Sequence, residues 1–306
     1  MGPALIDPPA DDGDSVAHQA AERGDATMLR WVDETVGTDA LRGRRGENGA
    51  TVAHVAAERA HGFGVLQFLA AHAQLGPKFI AAPAHNGATV ALSPAQRGDV
   101  QLLRWLVDVC GPELLLAPHK GNVTTALLAA RAGSLATLRF LAAHPAIGPR
   151  FFYVATERGD TVALQAAERG NEAMLKFLNS VAGTELLRKK RSGGINIAHL
   201  AAAAGSIEML RFIAATPGLG PAFLNETADD GDSAQFQAVV RGDVKMLKYL
   251  VSVVGPELLR RTRGVSMTAP HLGFGAAFLN ETKHGDNVMV QAVLRGDLRM
   301  LKYLVS

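Results

Sequence analysis

Gly13-Asp14-Ser15-Val16-Ala17-His18-Gln19-Ala20-Ala21 returns in degenerate form along the whole chain. It reappears as Gly49-Ala50-Thr51-Val52-Ala53-His54-Val55-Ala56-Ala57 and as Gly159-Asp160-Thr161-Val162-Ala163-Leu164-Gln165-Ala166-Ala167. Other copies start at Gly87, Asn122, Gly194, Gly231 and Gly285, and the first seven starts are separated by 36, 38, 35, 37, 35 and 37 residues. A period of this size predicts stacked repeats, each contacting its neighbours, in place of a globular core around one site. Function is then expected along a surface.

One repeat, residues 13–48, shows why the copies fold alike. Ser15 is placed to cap a first helix whose apolar face carries Val16, Ala20 and Ala21. Gly24 supplies a left-handed stop, and Asp25 is placed to cap a second helix. In that helix Met28, Leu29, Trp31 and Val32 fall at i, i+1, i+3 and i+4, predicting one buried side, and Gly37 ends it. The second-helix pattern recurs as Leu102-Leu103-Arg104-Trp105-Leu106, Met174-Leu175-Lys176-Phe177-Leu178, Met209-Leu210-Arg211-Phe212-Ile213 and Met246-Leu247-Lys248-Tyr249-Leu250. Two short helices cannot cover these faces alone, so stacking is required.

The helix start at Thr51 and His54, the Ala56-Ala57 pair, the glycine turn and the amphipathic second helix together resemble the ankyrin repeat family over almost the whole chain. Val16, Val52, Val90 and Val162 stand where that family's motif has proline, and the period exceeds its usual 33 residues. The resemblance implies an all-α, ankyrin-like right-handed helical solenoid of about eight units, two antiparallel helices each. Residues 1–306 would form a single array.

Alternate repeats are more alike than neighbours, so the duplicated unit is a pair of about 72 residues. One class ends like Gly255-Pro256-Glu257-Leu258-Leu259, the other like Gly220-Pro221-Ala222-Phe223-Leu224. In this register 17 residues equivalent to Ala201 to Pro217 are lacking near 272–273. Either the stack has a discontinuity at 264–284 or an internal segment is missing, and 264–284 is expected to be a weak joint. Both ends of the sequence are expected to fall inside a repeat.

Basic residues outnumber acidic ones by 31 to 29, a balance that does not by itself point to nucleic acid. Cys110 is the one cysteine, which excludes an intrachain disulfide, and it is expected to be buried in an apolar helix end. The first residues have no signal-peptide pattern, Gly2 lacks a myristoylation context, and no apolar run is long enough to span a membrane. A cytoplasmic protein is expected, with the nucleus as the other compartment considered.

Arg-Gly-Asp at 23–25, 97–99, 158–160, 241–243 and 295–297 suits integrin recognition in form. In four of these the repeat explains it: Arg closes one helix, Gly makes the turn and Asp caps the next. Asn225-Glu226-Thr227 and Asn280-Glu281-Thr282 read as loop residues for want of a secretion signal. The family resemblance implies that His18, His54 and His199 tie one loop to the next, and they are not expected to hold metal.

Three basic clusters occur in loops of one repeat class: Arg42, Arg44 and Arg45; Arg188, Lys189, Lys190 and Arg191; and Arg260, Arg261 and Arg263. Loops of the other class carry Asp11-Asp12 and Asp229-Asp230. Two readings stay open: cationic fingertips gripping an anionic partner, or a solvated edge whose alternating charges neutralise one another. Arg97, Arg169 and Arg241, at the ends of first helices, face the groove in the resembled family and are further candidates, although helix-dipole complementation also accounts for them.

No catalytic triad, paired carboxylates or phosphate loop emerges. The expectation is a non-enzymatic scaffold with no cofactor and no small-molecule substrate, binding a protein partner with an acidic surface. Alternatives are the recognition arm of a larger enzyme or effector, or a basic edge that binds nucleic acid (the weaker case) or an anionic membrane.

Overall fold

The computed structural model describes residues 13–255, 262–263, 286–287, 292 and 295–304. It is predominantly α-helical, and its strands are two-residue pairs. The chain divides into two compact units, Met1–Glu157 and Arg158–Ser306.

In the first unit, helix pairs recur as α1 (Val16–Glu22) with α2 (Ala26–Val36), and α3 (Val52–Glu58) with α4 (Phe63–Ala71). They continue as α6 (Leu92–Arg97) with α7 (Val100–Cys110), and α9 (Thr125–Ala132) with α10 (Leu135–Ala143). First helices pack on first helices, α1 on α3, α3 on α6 and α6 on α9. Second helices meet likewise, α2 on α4 and α7 on α10. The second unit repeats the scheme. Its pairs are α11 (Val162–Glu168) with α12 (Glu172–Ala182), α14 (Ile197–Ala204) with α15 (Ile207–Ala215), and α17 (Ala234–Arg241) with α18 (Val244–Val254). There α11 packs on α14 and α14 on α17, while α12, α15, α18 and α19 (Leu298–Leu304) follow one another on the other side.

Local chemistry sets these boundaries. Ser15 Oγ accepts the His18 N–H, and Asp25, Asp99, Asn171 and Asp243 accept the third backbone N–H of the second helices at 2.8 to 3.0 Å. In Arg97-Gly98-Asp99 and Arg241-Gly242-Asp243 the glycine φ is +77° and +72°, a conformation a side chain resists. Arginine there ends one helix and aspartate caps the next.

Three details depart from the sequence reading. Each pair from α1–α2 to α14–α15 is followed by a third short helical segment: α5 (Gly76–Ala81), α8 (Glu113–Leu116), α13 (Thr184–Leu187), α16 (Gly220–Leu224), or a 3-10 turn at Thr38–Arg42 and Pro149–Tyr153. The repeat tails coil because Leu41, Leu115, Leu186, Leu187 and Leu224 find fully buried sites that way. In α2, Leu29 and Val32 are buried but Met28 and Trp31 are 43% and 46% exposed. The equivalent Leu102, Met174, Met209 and Met246 are buried, so a neighbouring helix pair completes that face and α2 has one on a single side among the described residues. Cys110 is only part-buried; its thiol lies 3.6 Å from the Pro77 carbonyl, and burial pushes its pKa up. The 264–284 segment lies outside the described residues.

Candidate interaction surface

The loops entering α6, α9, α14 and α17 are tight hairpins. The N–H of one arm donates to the carbonyl four residues on in Ala84–Ala88 and His119–Val123 (both 2.8 Å), Arg191–Ile195 (3.0 Å) and Ala228–Asp232 (2.8 Å). In the first unit β1 (Arg44–Arg45) pairs antiparallel with β2 (Ala50–Thr51). β3 (Thr262–Arg263) pairs likewise with β4 (Asp286–Asn287) in the second.

Successive hairpin tips are also joined through the backbone. In the first unit His85 N–H donates to Asn48 O (2.7 Å), Lys120 to Asn86 (3.2 Å) and Glu157 to Gly121 (3.3 Å). In the second, Ser192 donates to Arg158 (2.8 Å) and Asp229 to Gly193 (2.9 Å). The loops of each unit therefore form one cross-braced edge.

Most cations of that edge are engaged inside the chain. Arg42 reaches Asp39 (3.5 Å) and the Gln74 carbonyl (3.1 Å), and Arg44 the Gly49 and Pro83 carbonyls (3.0 and 3.2 Å). Arg45 sits between Asp14 (3.5 Å) and Glu22 (3.3 Å). Two duplicated units on, Arg191 sits between Asp160 (3.4 Å) and Glu168 (3.3 Å) in the same pattern. Arg188 donates to the Gly218 carbonyl, and Lys190 pairs with Glu226 at 2.9 Å. Lys189 is exposed, and its ammonium meets no partner among the described residues. Arg260 and Arg261 lie outside the described residues; Arg263 is placed only as part of β3.

The arginines at first-helix ends divide the same way. Arg97 donates to the Glu58 carbonyl and Arg241 to the Ala203 carbonyl, both at 2.8 Å. Each thus caps the negative end of the preceding first helix as well as its own. Arg59 binds the Glu22 carboxylate. Arg169 is exposed, and its guanidinium has no partner among the described residues.

Among the described residues two of the three buried histidines, His54 and His199, cross-link repeats, while the His18 ring meets Ser15 Oγ of its own repeat at 2.9 Å. The Thr51 backbone N–H donates to His54 Nδ1 (3.3 Å), which leaves the ring proton on Nε2 to be donated to the Ala88 carbonyl at 2.9 Å. His199 meets the Asn196 N–H (3.3 Å) and Asn196 Oδ1 (2.6 Å) at Nδ1 and the Asp232 carbonyl (3.1 Å) at Nε2. Burial is the main force holding both imidazoles below the ordinary 6.5. It outweighs the carbonyl hydrogen bonds, which pull the other way, and the Arg44 cation pushes His54 down further.

One regularity escaped the sequence reading. Arg30 lies over the Phe68 ring (5.7 Å) and Arg104 over Phe140 (5.2 Å) in the first unit. Lys176 lies over Phe212 (6.0 Å), Arg211 over Tyr249 (5.6 Å) and Lys248 over Tyr303 (5.1 Å) in the second. In these five pairs the cation of one second helix covers the ring of another, a favourable electrostatic contact with the ring face. Its sequence signal is the recurring cation-aromatic dipeptide, as in Arg104-Trp105, Lys176-Phe177, Arg211-Phe212 and Lys248-Tyr249.

Among the described residues no cluster of three His, Cys, Asp or Glu is arranged to hold a metal ion, and no helix is long and apolar enough to cross a membrane. Comparison of the chain with protein-family models and with curated proteins finds no match.

Proposed function

We propose that this chain is an ankyrin-like right-handed array serving as a non-catalytic scaffold, cytoplasmic in setting, that binds a protein partner with an acidic surface. The observation that carries this reading is the braced loop edge. Hairpins already joined tip to tip lose little freedom on binding, which lowers the ordering cost of an interface. On that edge Lys189 is a cation open to a partner, and Arg169 is open at a first-helix end in the same unit.

The test begins with a partner recovered by pull-down. Lys189→Glu together with Arg169→Glu is expected to weaken that partner about tenfold while leaving the unfolding midpoint nearly unchanged, since exposed unpaired charges contribute little to folding but orient a charged partner. Unaltered affinity would move recognition off these elements. Reversal at Arg45 or Arg191 makes a poor test, because it also breaks a two-carboxylate tie.

A further inference from the structure

We propose a second docking site, distinct from the loop edge: the groove between α18 and α19, which fits an acidic segment of a partner protein. The groove is open, of about 760 Å³. Arg241, Lys245, Lys248, Arg299 and Lys302 line it, with Asp243 as the lining carboxylate. Asp243 is already occupied in capping the Met246 N–H at 2.9 Å.

The positive character arises from a substitution within the repeat. The second residue of the second helix is Ala173 in α12, Glu208 in α15, Lys245 in α18 and Arg299 in α19. On α12 Glu172, one residue before that place, pairs with Lys176 at 2.6 Å. On α18 and α19 the same place carries a cation, so Lys248 and Lys302 gain a like charge one turn away. Lys245, Arg299 and Lys302 are exposed, and their charged ends meet no partner among the described residues. Concentrated charge of one sign in a recess raises the local potential and draws in the opposite charge.

The chemistry favours carboxylates on a peptide over a nucleic-acid strand. Single-strand binding relies on open rings on which bases stack. Here the ring at the groove, Tyr303, lies under Lys248 at 5.1 Å, and Tyr249 lies under Arg211 at 5.6 Å. Lysines spaced i, i+3 on a helix present neighbouring point charges, well matched to a run of side-chain carboxylates.

Fluorescence anisotropy of a labelled glutamate-rich peptide with the full chain tests this. Saturable binding that weakens as salt rises is expected, with Lys245→Glu plus Arg299→Glu lowering affinity about tenfold or more, since two exposed pairs turn from attraction to repulsion. Glu208→Lys, which extends the basic face, should strengthen binding, and Lys189→Glu should leave it unchanged. No saturable binding, no effect of the double reversal, or tighter binding of a labelled oligothymidylate than of the peptide would overturn the proposal. A Lys189 effect with none from Lys245 and Arg299 would do so too, assigning the peptide to the loop edge. Circular dichroism of the double variant verifies that the helices remain.

Discussion

The loop edge and the α18–α19 groove carry comparable numbers of cations, yet they present opposite faces to a partner. On the loop edge Arg44, Arg45, Lys190 and Arg191 lie against carbonyls and carboxylates of neighbouring repeats. In the groove Lys245, Arg299 and Lys302 have no such neighbours among the described residues. A basic run in a sequence therefore is not a basic surface. Whether a cation is available depends on what the stacked neighbour places opposite it, and the equivalent ties of Arg45 and Arg191 show one such pairing built into both units.

The comparison rests first on the packed core that holds both regions in place. Leu103 and Leu175 are fully buried. Truncation of either to alanine should cost on the order of 2–5 kcal/mol in denaturant unfolding, and a loss under half a kcal/mol would show that the helix phase is wrong.

The buried histidine ties come next. His54→Ala leaves the part-buried Ala88 carbonyl without its partner and should cost about 1–3 kcal/mol. The same groups set a pH dependence. Their folded-state pKa is depressed below 6.5, so the unfolded chain takes up protons first as pH falls. The stability they contribute is complete above about pH 6.5 and declines as pH drops below it toward the folded value. Replacing His54 and His199 by glutamine should flatten that part of the stability profile, and an unchanged slope between pH 5 and 6.5 (roughly the window for histidine) would show that other groups govern it.

A smaller effect separates the two cationic regions directly. Arg191→Ala should cost about 1 kcal/mol, because it releases Asp160, 12% exposed, as well as the more exposed Glu168. Lys245→Ala and Lys189→Ala should each stay within about half a kcal/mol. Equal losses at Arg191 and Lys245 in parallel denaturation curves would erase the distinction between a tied edge and an open groove.

Much of the architecture was legible in advance. The Gly, Ser and Asp punctuation located the paired helices because capping and left-handed turns are local chemistry, satisfied within a few residues. The His54 and His199 ties were also expected, although their acceptors at Ala88 and Asp232 lie 34 and 33 residues away. Less visible was the exposure of Trp31, since the i, i+3, i+4 rule describes one helix and not the number of its neighbours. The coiling of the repeat tails was missed for a related reason: Leu115 and Leu187 drive it by finding buried sites made by other helices.

By itself, then, the sequence determined the repeat, its helix boundaries and its buried leucine stripe, because these depend on residue type and spacing over one or two turns. Only the tertiary structure decided which charges are free. Arg45 and Lys245 are both cations, but Asp14 and Glu22 come within about 3.5 Å of one and the other faces Arg299 and Lys302 across a groove. Coulomb attraction and hydrogen bonding act through space, and the 31 residues between Asp14 and Arg45 are brought together only when the repeats stack.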